Sequence, residues 1–489
     1  MNDQRGNLQK MFEPQHRSSN FGEVLSSVLV HGFRCHTDTS IEFESPIVAF
    51  CGLNGTGKST LLQILASAYN AAEDTDERYY IKDFIVTGTL DPAPFQQDAF
   101  VEYTYWQPGK PDGSRSLRTL TLSRDAESKR WRGYRRQPKR TVYFAGIGLY
   151  LPRVELRDFI VQQALKLTVT DTTAIPERSK DWICKILACS YEAVHANTVQ
   201  FNNRSDTVVT VARYGSTYSE TNMGFGEGRI QHIINVLENL PNRSLVILEE
   251  PETSLHPSAQ HELGVYLVDV CIQKRHQIFI STHSKYLLTA LPEKSRVYLD
   301  RTPQGLRWYV GMSTTQAVSL MTGGHDKALY VLVEDDVAEA ILTELLRLAD
   351  PAFLRAVKIS IGGDADALQK TMKTIKETKL PVAAVRDGDK QGSPKESIFK
   401  LPGTRPPEQE LLHSVPVRDW LRATYSVDIG DFLAAMHGRD HHEWFHHLAA
   451  QVATARPALL QQAAQVYARN VSENERISLV QQLKGTISL

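Results

Sequence analysis

The sequence predicts an α/β fold of two blocks in which strands and helices alternate, followed by a helical C-terminal region. First, the apolar run at 47–50 leads into the glycine-rich stretch 52–59 and then into "LLQILASAYN", which has helical apolar spacing. Second, short apolar runs between 244 and 310 end in polar residues, as in "SLVILEE" and "QIFISTHS". Third, strand and helix patterns alternate again over 326–402, whereas 408–489 is rich in Ala, Gln and Leu and predicts helices.

Composition sets broad limits on function. The chain has 489 residues and a net charge of −1, so any contact with nucleic acid must use local basic patches. The five cysteines form no C-x-x-C pair, which argues against a disulfide framework. No apolar run of about 18 residues and no apolar leader is present, so we expect a cytoplasmic protein that does not enter a membrane. Residues 1–20 are polar and predict a mobile N-terminus.

The stretch "GLNGTGKS" fits G-x-x-x-x-G-K-[ST]. In such a loop, backbone N–H groups at a helix N-terminus wrap the phosphates of a nucleotide. Lys58 would reach the β and γ phosphates of ATP, and Ser59 would ligate Mg²⁺. The predicted nucleotide-binding residues of this loop are Asn54, Gly55, Thr56, Gly57, Lys58, Ser59 and Thr60.

Three further segments follow in the order expected of an ATPase. "LVILEE" is an apolar strand that ends in two acids, of which Glu249 would hold Mg²⁺ through water and Glu250 would polarise the attacking water. "ISTHS" places His283 where it could donate a hydrogen bond to the γ-phosphate. "NMGFGEGR" is a glycine-rich turn ahead of a helix.

This set resembles the ATPase domain of the ABC class, in the branch shared by SMC-like proteins and overcoming-lysogenization-defect (OLD) nucleases. The resemblance covers about residues 25 to 315, and we place the domain at 21–320. It implies a homodimer or higher homo-oligomer in which the signature turn of one subunit covers the nucleotide at Lys58 of the other. The signature residues are Gly224, Gly226, Glu227 and Gly228.

In the second block, acids stand where strands end. Glu334 follows "LYVLV", and Asp387 and Asp389 follow "PVAAV". The carboxyl ends of parallel strands are where sites form in open α/β sheets. Three carboxylates gathered there would suit Mg²⁺ or Mn²⁺, which can activate water for phosphodiester cleavage.

This block, 326–402, resembles a TOPRIM domain, and the order of ATPase and then TOPRIM resembles the OLD family. The resemblance implies an ATP-hydrolysing, metal-dependent DNA endonuclease or nickase of prokaryotic anti-phage defence, with Glu408 as a further metal ligand. Asp335 and Ala338 depart from the family's motif, which uses Gly and Asp there. The alternative is a regulatory ATPase scaffold with a degenerate TOPRIM domain, which senses invasion and controls a separate effector protein.

Two other stretches invite a functional interpretation. The strongly basic segment 124–140 predicts either a solvated hairpin tip or a contact with a phosphate backbone. His442, Glu443 and His446 formally match the H-E-x-x-H of zinc proteases. No third ligand can be assigned, so we interpret that match as part of a packed or solvated helix.

Overall fold

The computed structural model describes residues 4–73, 78–107, 117–124, 130–146, 151, 153–377 and 380–487. The chain divides into two compact units, Met1–Thr314 and Thr315–Leu489. The second unit contains both the predicted TOPRIM-like segment 326–402 and the predicted helical region 408–489.

The strands of the first unit form three sheets. A six-stranded sheet has the order β15-β14-β3-β13-β12-β7 and is parallel except for β15, and the other two sheets, β2-β1-β4-β5-β6 and β11-β10-β9-β8, are antiparallel. The strands are β1 (Val24–Phe33), β2 (His36–Glu42), β3 (Ile47–Cys51), β4 (Phe95–Trp106), β5 (Leu117–Arg124), β6 (Trp131–Arg132), β7 (Val142–Ala145), β8 (Thr168–Ala174), β9 (Ala193–Phe201), β10 (Arg204–Arg213), β11 (Ser216–Ser219), β12 (Leu245–Glu249), β13 (Gln277–Ser281), β14 (Arg296–Thr302) and β15 (Gly305–Val310).

The helices of the first unit pack around these sheets. They are α1 (Gln4–Met11), α2 (Arg17–Phe21), α3 (Lys58–Ala66), α4 (Ile81–Phe84), α5 (Arg153–Leu156), α6 (Phe159–Gln162), α7 (Glu177–Leu187), α8 (Phe225–Asn239), α9 (Pro257–Lys274) and α10 (Lys285–Ala290).

The central sheet positions the first candidate site. Its strands β3, β12 and β13 are buried along their whole length, as near-continuous apolar runs of a parallel sheet should be. In the register, Glu249 pairs with Ser281, and Ser281 pairs with Phe50. The three strands therefore end at the same edge of the sheet, where the loops that follow them lie side by side.

Two sequence-based expectations for this unit need correction. Residues 4–20 are not a mobile terminus, because they contain α1 and most of α2 and bury Leu8 and Phe12 completely or nearly so. The apolar spacing of "RDFIVQQALKL" and "SKDWICKILACSYEAVHA" predicts helices over 153–200, but this region contains the strands β8 and β9 besides three helices. The run "LTVTDTTA" is rich in Thr and Val, whose branched side chains suit a pleated strand.

The second unit is built on a four-stranded parallel sheet with the order β17-β16-β18-β19. Its strands are β16 (Leu329–Val333), β17 (Val357–Ile361), β18 (Val382–Arg386) and β19 (Ile398–Lys400). Its helices are α11 (Thr314–Met321), α12 (Asp336–Ala349), α13 (Pro351–Ala356), α14 (Ala365–Glu377), α15 (Pro407–His413), α16 (Val415–Tyr425), α17 (Ile429–Ala435), α18 (Trp444–Gln451), α19 (Arg456–Asn470) and α20 (Glu473–Gly485).

Helices cover both faces of this sheet. On one face, Leu368 and Met372 of α14 pack against Leu332 and Ala384. On the other face, α12 shares one continuous apolar core with the strands and with the C-terminal helices α15 to α20. The C-terminal helices therefore contribute to the same core as the sheet.

Candidate functional site

The glycine-rich loop connects β3 to α3. Gly57 caps the helix with φ 87°, a left-handed conformation that favours glycine. Lys58 begins the helix, and its Nζ donates hydrogen bonds to the carbonyl oxygens of Gly52 (3.0 Å) and Leu53 (2.9 Å). Burial lowers the pKa of Lys58, although the negative charge of Glu250 opposes that shift. The lysine is thus folded back over its own loop, at the place where phosphates would bind.

Two residues that the motif did not reveal support the loop from outside. The Nε2 atom of the buried His36 lies 3.0 Å from the carbonyl oxygen of Gly57, so this nitrogen donates the hydrogen bond. A Cβ at Gly57 would collide with the His36 ring and the Cys35 sulfur. Arg34 donates to the hydroxyl of Thr60 (3.1 Å). Each of these contacts links the loop to β2 or to the turn before it.

The remaining loop residues differ in exposure. Asn54, Gly55 and Ser59 are exposed, whereas Thr56 is buried and donates its hydroxyl to the carbonyl oxygen of Leu53 (2.9 Å). Thr60 is also buried and is already hydrogen-bonded by Arg34. Ser59, in the first turn of α3, is therefore the hydroxyl of this loop that stands open to a ligand.

The end of β12 brings the two acids of "LVILEE", Glu249 and Glu250, to the same edge of the sheet. Glu249 is 8% exposed. Because side chains alternate along a strand, Leu245, Ile247 and Glu249 point to the same face of the sheet, and Leu245 and Ile247 pack with α3 on that face. Glu249 therefore lies on the side of the sheet that carries the loop. Glu250 has φ 44°, and its N–H donates to the carbonyl oxygen of Ser281 (3.0 Å).

His283 lies close to Glu250. Its Nε2 atom is 3.6 Å from Glu250 Oε1. Burial and then the positive charge of Lys58 lower the pKa of His283, and the charge of Glu250 opposes them. The structure therefore brings Lys58, Glu250 and His283 within electrostatic reach of one another.

Two side chains that sequence reasoning missed hold these groups in place. The carboxylate of Glu252 accepts hydrogen bonds from the Thr282 hydroxyl and from the backbone N–H of His283 (3.0 Å). Arg229 is 4% exposed and donates to the backbone carbonyl oxygens of the three residues that end and follow β12. The acceptors are Glu249 (3.3 Å), Glu250 (3.0 Å) and Pro251 (3.2 Å).

The predicted signature turn lies at the N-terminus of α8. Gly224 caps this helix, and nothing lies within 4 Å of a Cβ built on it. A Cβ on Gly226 would lie 2.6 Å from the carbonyl oxygen of Ser254. The carboxylate of Glu227 accepts hydrogen bonds from the hydroxyls of Tyr191 and Tyr218, the latter at 2.8 Å. The Glu227 side chain is therefore bound within its own chain, whereas Gly224 caps the helix and Gly228 lies in its first turn.

In the second unit, Glu334 follows β16 and Asp387 follows β18. The sheet order reverses between these two strands, because β17 lies on one side of β16 and β18 on the other, and such a point forms a crevice. The backbone N–H of Asp387 lies 3.5 Å from Glu334 Oε1. Burial, and then the negative charges of Glu334, Asp335 and Asp389, raise the pKa of Asp387 to about 8. Asp389 forms an ion pair with Lys390 (3.1 Å).

Buried oxygens without a hydrogen-bond partner mark this crevice. Within the described ranges, Asp387 Oδ1 and Glu408 Oε2 have none, and the two residues are only 5% and 1% exposed. The Asp335 side chain accepts from the N–H of Ala338 (2.8 Å) and caps α12.

The histidine-rich segment also reaches this region. Over the part of the chain that the structure describes, one group of three or more candidate ligands has all its ligand atoms within 4.8 Å of one another, namely Glu408, His441 and His442. Glu334, Asp387 and Asp389 do not form such a group. His442 belongs to a 3₁₀ turn, His441–Glu443, whereas His446 lies in α18. The H-E-x-x-H match is therefore not carried on one helical face.

The fold and the loop define a nucleotide-binding ATPase domain. A family model described as "AAA domain" matches residues 27–129. A second, described as "AAA domain, putative AbiEii toxin, Type IV TA system", matches residues 147–289. The chain therefore carries an ATPase domain of the AAA type. The comparison with curated proteins gave no match. Among the described residues, no helix combines the length and the apolar character that crossing a membrane requires.

Solved structures of SMC head domains are similar to part of the chain. The SMC head domain from Thermotoga maritima is 13% identical, with a TM-score of 0.34, over 58% of this chain and 98% of that one. An SMC head bound to the C-winged helix domain of ScpA is 14% identical, with a TM-score of 0.38, over 58% and 97%. An SMC head with an extended coiled coil bound to the C-terminal domain of ScpA, derived from Pyrococcus furiosus, is 12% identical, with a TM-score of 0.39, over 61% and 99%. Likeness at this level carries no argument about function.

Proposed function

We propose that the chain is an ATP-hydrolysing, metal-dependent DNA endonuclease of the OLD type that serves in prokaryotic defence against phage. The observation that carries the nuclease proposal is the crevice between β16 and β18. Glu334 and Asp387 lie there at adjoining strand ends, and Asp387 keeps a buried oxygen without a hydrogen-bond partner among the described residues.

The donor set of this crevice fits a divalent cation. Burying several carboxylates together is unfavourable unless a positive charge compensates them. Burial is the first cause of the raised pKa values of Glu334, Asp387 and Glu408, and the charges of neighbouring carboxylates raise them further. Glu334, Asp387, Asp389 and Glu408 would hold Mg²⁺ or Mn²⁺, and the bound ion would supply water activation and charge neutralisation for phosphodiester hydrolysis.

The ATPase half of the proposal places ATP at the loop Asn54–Thr60. Lys58 would contact its phosphates, Ser59 and Glu249 would hold the accompanying Mg²⁺, and Glu250 would orient the attacking water beside His283. The 3.6 Å separation of Glu250 and His283 supports a shared task. A second copy of the chain would cover the nucleotide through Gly224, which caps α8, and the first turn of that helix.

DNA would contact the first unit at a basic groove. Residues 125–129 of the predicted basic segment lie outside the described residues, but the part that follows lines a cavity of about 730 Å³. Arginine side chains and aromatic rings line it together, a combination suited to phosphates and to unstacked bases. The side chains are Arg78, Tyr80, Trp131, Arg132, Tyr134, Arg135 and Arg136.

The test is plasmid nicking by the purified full chain in Mg²⁺ or Mn²⁺, with ATP hydrolysis measured in parallel. Asp387→Asn keeps the size of the side chain and removes its charge, so nicking should fall by at least tenfold while ATP hydrolysis stays near wild type. Asp366→Asn, in the exposed first turn of α14, is the matched control and should nick normally. If the wild type nicks no DNA, or Asp387→Asn nicks equally well, the nuclease proposal fails.

A specific observation favours a second candidate, a regulatory ATPase scaffold that controls a separate effector. Lys390 neutralises Asp389, and the candidate ligand atoms of Glu334, Asp387 and Asp389 do not all converge within 4.8 Å among the described residues. One matching family model is described as "AAA domain, putative AbiEii toxin, Type IV TA system", a description that names no nuclease. A chain without nicking activity that still hydrolyses ATP would favour this candidate.

A further inference from the structure

Glu408 is the most deeply buried acid of the second unit's crevice. It lies in the first turn of α15 and is 1% exposed. Its Oε1 atom is 3.0 Å from Nδ1 of His442, which is 34 residues away in the chain. Its Oε2 atom has no hydrogen-bond partner among the described residues. A buried carboxylate oxygen in that position is unfavourable unless a cation or a donor reaches it.

Two imidazole rings stand beside the Glu408 carboxylate. The ring centroids of His441 and His442 are 4.1 Å apart, and the candidate ligand atoms of Glu408, His441 and His442 all lie within 4.8 Å of one another. Bonds of roughly 2.0–2.2 Å to a tetrahedral metal place neighbouring ligand atoms roughly 3.3–3.6 Å apart. Both histidines lie on a partly exposed turn, so small side-chain rotations would bring the three groups to that spacing.

We propose that Glu408, His441 and His442 form a binding site for a divalent first-row transition metal such as Zn²⁺. Two imidazoles and one carboxylate make up the protein ligands of many zinc and iron sites that leave a coordination position open. Mg²⁺ and Ca²⁺ prefer oxygen ligands, so this set selects against them. Asp335, whose Oδ2 is 3.8 Å from His442 Nδ1, would serve as an outer partner that orients the ring.

This site goes beyond the proposed nuclease centre. It uses nitrogen ligands from the turn between α17 and α18, whereas the nuclease proposal rests on Glu334 and Asp387 at the sheet edge. The two proposals share Glu408, which the nuclease proposal also names as a ligand and whose charge acts on Asp387. A chain that binds Zn²⁺ here and cuts no DNA would refute the nuclease and leave this site standing.

The experiment measures Zn²⁺ binding by the metal-free full chain through calorimetry, with bound Co²⁺ as a spectroscopic probe of nitrogen ligation. We expect His441→Ala and His442→Ala each to weaken Zn²⁺ binding by at least tenfold and to change the Co²⁺ spectrum. His446→Ala is the matched control, because His446 is exposed and lies in α18, outside the cluster. It should bind Zn²⁺ like the wild type. Thermal unfolding of each variant verifies that the second unit is intact.

Two results would overturn the proposal. If the wild type takes up no Zn²⁺ or Co²⁺ at micromolar concentration, His442 and Glu408 form only an ion pair. If His446→Ala weakens binding as much as His442→Ala does, the ion is held by the H-E-x-x-H residues instead. Because His441 and His442 are both partly exposed, at least one of the two substitutions should leave the fold intact.

Discussion

Arg229 donates a hydrogen bond from Nη2 to the carbonyl oxygen of Glu250 at 3.0 Å. This contact ties the helix that follows the signature turn to the residue proposed to orient water. Glu250 has φ 44°, a left-handed conformation that is unfavourable by roughly 1–2 kcal/mol for a residue with a side chain. Three contacts hold the turn in that conformation. The first is the hydrogen bond from Arg229, the second is donated by the N–H of Glu250 to the Ser281 carbonyl oxygen, and the third is donated by the Thr253 hydroxyl to the Glu250 carbonyl oxygen.

We therefore expect Arg229→Lys to lower kcat for ATP hydrolysis by about 10- to 100-fold while ATP affinity changes less than about threefold. A lysine cannot reach three carbonyl oxygens at once, so the Glu250 turn should relax, whereas the phosphate loop keeps its own contacts. Steady-state kinetics with a nucleotide-binding assay separates the two effects. Arg307→Lys, at an exposed position of β15, is the control. An unchanged kcat in Arg229→Lys would show that Arg229 does not position Glu250 for hydrolysis.

Lys58→Ala and Glu250→Gln should fail at different steps. Lys58 supplies the positive charge next to the phosphates, so its loss should abolish ATP binding and hydrolysis together. Glu250→Gln keeps the shape of the turn but loses the base, so ATP should bind and remain uncleaved. Filter binding of labelled ATP and phosphate release distinguish the two outcomes. Normal turnover by Glu250→Gln would refute its assignment as the base.

ATP-dependent pairing of two ATPase domains should require the N-terminus of α8. Gly226 is a poor position to test this, because a Cβ there would meet the Ser254 carbonyl oxygen at 2.6 Å and disturb the fold. Gly224 has open space around it, so Gly224→Asp adds a negative charge without a clash. Sedimentation of the Glu250→Gln protein with and without ATP should show pairing, and adding Gly224→Asp should abolish it.

The same substitution in the otherwise wild-type chain should lower ATP hydrolysis by at least tenfold. Gly88→Asp, at another open glycine of the first unit, is the matched control and should hydrolyse ATP normally. If Gly224→Asp hydrolyses ATP like the wild type, the signature turn does not contribute to the nucleotide site.

The stability of the first unit should depend on the protonation of His276. This fully buried ring accepts from the N–H of Ser244 at Nδ1 (3.2 Å) and faces the Leu237 carbonyl oxygen with Nε2 (3.4 Å). A second proton would have to sit on Nδ1, against the N–H of Ser244. Burial first, and then the charges of Arg140 and Lys274, lower the pKa of His276 to about 4.

The folded chain takes up this proton only near pH 4, whereas the unfolded chain takes it up near pH ~6.5. The neutral His276 ring therefore contributes fully to the free energy of unfolding above pH ~6.5, and this contribution is lost as the pH falls towards 4. One pKa unit corresponds to about 1.4 kcal/mol, so the loss amounts to about 3 kcal/mol. Urea unfolding across this range should show a smaller pH dependence in His276→Gln than in the wild type. His256→Gln, an exposed control, should follow the wild type, and equal slopes in all three proteins would contradict the assignment.

The sequence by itself determined the candidates whose chemistry is tied to a strand end. Lys58, Glu250, His283, Glu334 and Asp387 each lie at or a few residues beyond the end of a short apolar run, and in this fold each of those runs is a buried strand of a parallel sheet. The local sequence pattern was less informative where the same composition is compatible with either a helix or a strand. The segment 168–174 lies within the region 153–200 for which the sequence predicts helices, yet it is a strand, because its pairing with β9 cannot be seen from the residues alone.

Only the tertiary structure decided which side chains support and complete the two sites. His36 reaches Gly57 across 21 residues, Glu252 reaches the His283 N–H across 31, and His442 reaches Glu408 across 34. No spacing rule links such pairs, because the folded path of the chain between them sets their distance. The physical reason is that local sequence determines the strands and loops, whereas the packing of those elements against one another determines which polar groups meet in a buried crevice.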